Sequence, residues 1–218
     1  MKKKTTFAVA AVALVAGFVI ASAWYRQSRS SALEATARDR AALFVRPHSP
    51  VRGAETARVD LVEFTDPACE TCAAFAPILD QILERHPGRV RLVVRHAPFH
   101  DGAGDVARVL EAARRQGRFW ETLHLLYRTQ HLWTAHHRVY IDSVWQLLPQ
   151  VGLDMDRLRA DFADPEVAAV VEQDLADARA LGVQKTPGIF VDGRPLEPFG
   201  VDPLVALVDE AVRTRYPG

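Results

Sequence analysis

Both cysteines of the chain fall in one stretch, DPACETC at residues 66–72, directly behind the apolar run VDLVEF at residues 59–64. A Cys-x-x-Cys pair at the junction of a strand and a helix restricts the fold, because both thiols must open one helix and share its first turn. A structural zinc site needs four ligands, and no second cysteine pair exists. Of the eight histidines, His131, His136 and His137 cluster in QHLWTAHHR, which reads as a solvated loop. A permanent staple across two intervening residues closes too short a loop to remove much entropy from the unfolded chain. The spacing suits reversible exchange, in which one thiolate attacks a disulfide and its neighbour resolves the mixed disulfide.

Local physics separates the two sulfurs. Cys69 stands at the helix start, where unpaired backbone N–H groups and the helix dipole favour a thiolate, which makes it the expected nucleophile. Cys72, one turn further in, is the expected resolving thiol. Period-two alternation places Val59, Leu61 and Glu63 on one face of the strand. A Glu63 carboxylate aimed into the core would have a raised pKa and exchange protons with Cys72. The competing reading is that the strand end twists it into solvent.

The rest of the domain follows from hydrophobic periods. Phe75, Ile78, Leu79, Ile82 and Leu83 form one stripe of a helix from about Cys69 to Arg85. RVRLVV is a second strand. Helices are expected around 105–116, 119–127, 138–148, 155–162 and 166–181. GIFV, the turn at Asp192 and Gly193, and RPL form a β-hairpin before a closing helix, DPLVALVDEAVRT. The order β-α-β, helical block, β-β-α predicts an α/β domain with a mixed sheet.

At the N-terminus, three lysines precede an uncharged apolar stretch from Phe7 to Trp24. It fits a cleavable signal peptide ending at Ala21-Ser22-Ala23, or a signal anchor whose Trp24 and Tyr25 lie at a membrane interface. Either use puts the remainder outside the cytoplasm, on the periplasmic side of a bacterial inner membrane, where disulfides persist. Residues 1–25 are thus a signal peptide or signal anchor, and the inner membrane is contacted through residues 5–25 if they are retained. Residues 26–57, arginine-rich and broken by Pro47, Pro50 and Gly53, read as a linker with a short helix around Ala32 to Leu43. The folded domain is expected over 58–216. A net charge of zero, with arginines spread along the chain, gives a polyanion no stripe to follow, so no nucleic-acid partner is expected.

VEFTDPACETCAAFAPILDQIL, with Pro77 five residues after Cys72, resembles the thioredoxin superfamily. RHAPFHDGAGDVARVLEAARRQGRFWETLHLLYRTQ, with His100 and the stretch Gly117 to Trp120, is similar to the start of the helical insertion of DsbA-like thiol–disulfide oxidoreductases, and ARALGVQKTPGIFVDGRPL to their cis-proline loop. The resemblance runs from about Val59 to Val212. It implies a thioredoxin-like fold with a helical insertion, about 101–182, between the β-α-β and β-β-α halves. It also implies a cis peptide bond at Thr186-Pro187 beside the cysteines, with Thr186 offering its backbone edge to an extended substrate and Pro187 shielding the sulfurs. His100 is placed near the active pair.

Oxidising members of that family usually carry proline after the first cysteine, and often histidine next, where this chain has Glu70 and Thr71. Glu70 is expected to raise the Cys69 pKa and to lower the potential below that of a dedicated oxidase, with Thr71 offering one compensating hydrogen bond. The expected activity is disulfide exchange with cysteine-containing protein substrates, with no cofactor beyond the Cys69–Cys72 disulfide and a membrane redox partner to regenerate the pair. A periplasmic reductase fed by a membrane electron donor is the alternative from the same chemistry. Cu(I) binding is a third, which the methionine content, Met1 and Met155 alone, does not favour. Phe99, Phe119, Trp120, Leu126, Tyr127 and Trp133 fit either a substrate groove or, more commonly at helical spacing, a core.

Overall fold

A computed structural model of the chain describes residues 41–136 and 138–217. The signal or anchor segment, 1–25, lies outside the described residues. Among the described residues no helix is long and apolar enough to cross a membrane. One compact unit begins at Leu43.

Its centre is a five-stranded sheet in the order β1 (Val51–Gly53), β3 (Val90–His96), β2 (Val59–Thr65), β6 (Gly188–Val191), β7 (Arg194–Pro195). β2 (Val59–Thr65) and β3 (Val90–His96) pair in parallel, with Val59 opposite Val90 and Thr65 opposite His96. The parallel crossover between them carries α1 (Glu70–Arg85). β6 (Gly188–Val191) pairs antiparallel with the other edge of β2, and β7 (Arg194–Pro195) with β6. The β6–β7 turn has Asp192 and Gly193 at φ of 48° and 78°, the doubly left-handed turn whose twist suits a two-residue hairpin.

Alternation along β2 sorts the residues into two layers. Val59 and Leu61 join the larger core with Val90, Leu92 and Val94 of β3, Phe75, Leu79 and Ile82 of α1, and Leu204 and Val208 of α7 (Val201–Arg215). Val62 and Phe64 face a smaller core with Val93 and Phe190 that is closed by Ala178 and Val183. The helical insertion comprises α2 (Ala103–Arg114), α3 (Phe119–Arg128), α4 (Ile141–Leu147), α5 (Met155–Ala163) and α6 (Pro165–Ala180). It extends the larger core, to which it adds Val106, Leu110, Leu123, Leu126 and Leu158.

Two stretches depart from the sequence reading. The residues taken as linker include β1 (Val51–Gly53), antiparallel to β3, and ion pairs that tie them to the insertion. The Arg46 guanidinium donates to both oxygens of Asp177 at 2.8 and 2.7 Å, and His48 Nε2 lies 2.7 Å from Asp174 Oδ1. The domain therefore starts before Arg58. A three-residue strand that follows Pro50 and ends in Gly53 is too short for a period to register. The helix expected from residue 138 instead begins at Ile141, because Arg138 and Val139 form β5, which pairs with β4 (Thr134–Ala135).

Candidate active site

The site is assembled where β2 ends. Asp66 is fully buried, and its carboxylate organises the turn that follows. Oδ1 accepts the Ala68 N–H at 2.8 Å, while Oδ2 accepts the N–H groups of Phe99 and His100 at 2.6 and 2.8 Å and faces His100 Nδ1 at 2.8 Å. From beyond α3, the Gln130 side chain donates to the Pro67 carbonyl at 2.9 Å. The loop that presents the cysteines is thus gripped on both sides, from the β3–α2 connection and from the insertion. His100, placed near the pair by resemblance, is held there by Asp66.

Cys69 holds the N-cap position of α1 in an extended conformation, φ −80° and ψ 119°, next to the free N–H groups of the first turn. It is 7% exposed, and its thiol lies 3.4 Å from the Thr186 carbonyl oxygen. The Cys69 pKa falls to about 5, chiefly through the hydrogen bond with Cys72 and, against the opposing effect of burial, with help from the Thr186 side chain and the backbone of Cys72 and Thr71. From the sequence, Glu70 is expected to raise this pKa; the net direction is the reverse. Glu70 is exposed, where water screens its charge, and the stabilising contribution of Thr71 comes from its backbone.

Three residues on, Cys72 is fully buried, and the same kind of thiol is driven the other way. Burial pushes its pKa well up, the hydrogen bond with Cys69 and the charges of Glu63 and Cys69 add to the rise, and Thr65 opposes it. Glu63 faces the core rather than solvent, at 2% exposure, and Oε1 has no hydrogen-bond partner among the described residues. Burial raises its pKa to about 8 against a lowering hydrogen bond with Thr65, with the charges of Cys69 and Asp80 adding to the rise. A carboxyl of that acidity is available as a proton donor or acceptor near neutral pH.

The peptide bond Thr186-Pro187 is cis, with Pro187 buried and Thr186 half-buried against Cys69. The next residue must be glycine. A Cβ at Gly188 would lie 2.7 Å from Val183 Cγ1 and 3.5 Å from Phe64 Cβ, so the loop packs on the sheet only without a side chain there. Of the aromatic set, Phe119, Tyr127 and Trp133 are core residues, as is Leu126, while Phe99 is 41% exposed. His131 and His136 are exposed, and among the described residues no group of three or more His, Cys, Asp or Glu side chains is placed to hold a metal ion.

Three residues of the site are not evident from the sequence: Asp66, Thr65 and Tyr127. Thr65 shares the strand face of Glu63 by period two, a signal lost when the strand is ended at Phe64. Asp66 reads as a turn residue, and Tyr127 as one more aromatic of an amphipathic helix.

The chain has relatives of known kind. The family described as Thioredoxin matches residues 46–210. The solved structure of a thioredoxin-like oxidoreductase from Silicibacter pomeroyi is 31% identical, with a TM-score of 0.68 over 78% of this chain and 95% of that one. That of Wolbachia pipientis alpha-DsbA1 is 15% identical, with a TM-score of 0.71 over 80% of this chain and 96% of that one, a likeness of fold. A curated relative, the Na(+)/H(+) antiporter NhaA of Herminiimonas arsenicoxydans, is 38% identical over 146 residues, which are 67% of this chain and 22% of the antiporter. The chain thus spans only about a fifth of that protein's length, and ion transport is a property named for the longer protein. The family match spans residues 46–210, a range that holds both cysteines, the proline loop and the insertion, and it leaves one assignment: this chain belongs to the thioredoxin family, among relatives that include a thioredoxin-like oxidoreductase.

Proposed function

We propose that the chain exchanges disulfides with cysteine-containing protein substrates on the extracytoplasmic side of the membrane, through the dithiol of Cys69 and Cys72. The observation that carries this reading is the opposite treatment of two neighbouring thiols. Cys69 is shifted toward the thiolate, chiefly by its hydrogen bond with Cys72, and Cys72 is kept a buried thiol beside Glu63.

In the oxidising direction, a substrate thiolate attacks Cys69 Sγ of the Cys69–Cys72 disulfide, the enzyme S–S bond breaks, and Cys72 leaves as a thiolate that takes a proton from the Glu63 carboxyl. A second substrate thiolate then attacks the substrate sulfur of the mixed disulfide. The substrate disulfide forms, and Cys69 departs as a thiolate that is stable at neutral pH. Two electrons pass from substrate to enzyme. A membrane redox partner that accepts them restores the Cys69–Cys72 disulfide. The substrate strand is taken to lie along the Thr186 backbone edge, with Pro187 covering the sulfurs. The apolar stretch from Phe7 to Trp24, behind three lysines, supports export and retention at the inner membrane.

Trapping tests the assignment of roles. The Cys72→Ser chain, mixed with an oxidised two-cysteine peptide, should accumulate a mixed disulfide at Cys69 that dithiothreitol reverses, whereas Cys69→Ser should form none. Equal trapping by both variants, or by neither, would overturn the assignment.

A further inference from the structure

A cysteine is a poor N-cap for its own helix. A thiol accepts hydrogen bonds only weakly, so Cys69 cannot hold its position as an aspartate or serine would, and the turn before it must do so. Asp66 closes that turn twice. Its backbone carbonyl accepts the Cys69 N–H at 3.0 Å, and its side-chain Oδ1 accepts the Ala68 N–H at 2.8 Å. The two bonds fix residues 66–69 from within. They set the direction in which the chain enters α1, where the Cys69 carbonyl accepts the Ala73 N–H at 3.1 Å.

The other carboxylate oxygen binds outside the turn. Oδ2 accepts the Phe99 and His100 N–H groups at 2.6 and 2.8 Å and lies 2.8 Å from His100 Nδ1. An ionised carboxylate only accepts, so Nδ1 carries the hydrogen of this contact. The segment it holds is itself anchored at both ends. The Ala97 N–H donates to the Thr65 carbonyl at 2.8 Å, and the His100 carbonyl accepts the Ala103 N–H at 3.0 Å where α2 begins. The end of β2, the head of α1 and the head of α2 therefore meet at one fully buried carboxylate. Three of its four donors are backbone groups, and the fourth is the imidazole of a side chain that is 24% exposed. That donor alone can be removed without redrawing the chain.

Asp66 also brings a negative charge within three residues of Cys69, and a carboxylate near a thiol opposes its ionisation. Each donor on the carboxylate draws that charge toward itself. Loss of the His100 donor thus has two effects of the same sign. It loosens the turn that holds Cys69 at the helix start, and it leaves more of the carboxylate charge uncompensated.

We propose that Asp66 and His100 are a positioning pair for the Cys69 sulfur, in which the carboxylate fixes the turn and the Nδ1 donor fixes the carboxylate. This rests on the dithiol reading above. Neither residue takes part in the transfer of protons or electrons; both act through Cys69.

The ultraviolet absorbance of the thiolate, followed against pH in the reduced full chain, reads the effect. Burial pushes Cys72 upward, so the step at low pH belongs to Cys69, with a midpoint near 5 in the wild type. His100→Phe keeps a ring and removes the donor, and should raise that midpoint by about 0.5–1 pH unit. Its equilibrium with glutathione at pH 7 should move about 3- to 10-fold toward the protein disulfide, because a less favoured thiolate makes the reduced form less stable. His100→Asn places an amide nitrogen where Nδ1 stood, and should bring the midpoint back to within about 0.2 unit of wild type. In the Asp66→Asn chain, which keeps the Oδ1 acceptor and lacks the other, His100→Phe should add less than about 0.2 unit, as expected of a residue that acts through Asp66.

A merely structural contact would lower the urea midpoint of His100→Phe and leave its thiolate step and glutathione equilibrium at the wild-type values, which would overturn the pair. So would a full shift by His100→Phe in the Asp66→Asn chain, or a His100→Asn chain no better than His100→Phe. A wild-type chain with neither a thiolate step at low pH nor a glutathione transition would instead overturn the dithiol reading itself.

Discussion

Cys69 and Cys72 show how far position alone can separate identical side chains. One sits at a helix start with donors converging on it and falls to about 5; the other sits one turn deeper and is driven upward by burial. Glu63 moves against Cys69, from 4.5 to about 8. The consequences for the reduced protein have opposite signs. A depressed Cys69 contributes stability that is present at alkaline pH and lost as pH falls toward about 5, whereas a raised Glu63 contributes stability that is full below about 4.5 and lost as pH rises through about 8. Between pH 5 and 8 the two slopes offset each other. Glu63→Gln removes one of them, so urea unfolding of the reduced variant should show stability rising across that window by roughly 2–4 kcal/mol, against a flatter wild type. Parallel pH curves for the two proteins would mean that Glu63 is not titrating in the buried site. The buried face of Glu63 could be read from alternation in VDLVEF, and Cys69 and Cys72 from their spacing. The contribution of Thr186 to the acidity of Cys69 could not, because the proline loop meets the helix start only through tertiary packing.

The elements differ in how clearly their periods declare them. β2, α1 and β6 have long apolar runs or stripes, and their observed limits lie within a residue or two of those read from the sequence. β1 and β5 are too short for a period and are formed by their pairing partners. The segment before β2 is held by charge. Arg95 is fully buried on β3 and donates to Asp174 and Asp177 of α6 at 2.9 and 2.6 Å and to the Leu43 carbonyl at 2.6 Å, while Arg46 and His48 reach the same two carboxylates from the chain before β1. Asp174 is held at about 2, despite burial that would raise it, by hydrogen bonds and charge from His48, His96 and Arg95. Cutting the chain at Arg58 removes Arg46, His48 and β1 together. It leaves Asp177 and Asp174 each short of a partner and bares the β3 edge. A fragment that starts at Arg58 should therefore unfold in urea with about 3 kcal/mol or more less stability than one that starts at Leu43. Equal stabilities would mean that the N-terminal ion pairs contribute nothing to the fold.

In the whole molecule, the sheet and the insertion have different tasks at one site. The sheet supplies Glu63, Thr65 and the proline loop; the insertion supplies the Tyr127 contact to Thr65 and the Gln130 contact to Pro67. The insertion's place in the chain was legible from helical periods and family resemblance. Its contacts with the end of β2 and the active-site turn were not, since they depend on side chains meeting across a packed core. The central claim is that a Cys69 thiolate stabilised at the head of α1 makes a reversible dithiol whose reduced form is favoured. Its most direct test is the equilibrium of the full chain with glutathione buffers at pH 7, read by thiol alkylation mass. A Cys69 pKa near 5 predicts one two-electron transition of the Cys69–Cys72 pair, on the oxidising side of thioredoxin, between about −230 and −150 mV. A potential below about −270 mV would make the chain a reductase in need of an electron source, and the absence of any two-electron transition would contradict the dithiol account altogether.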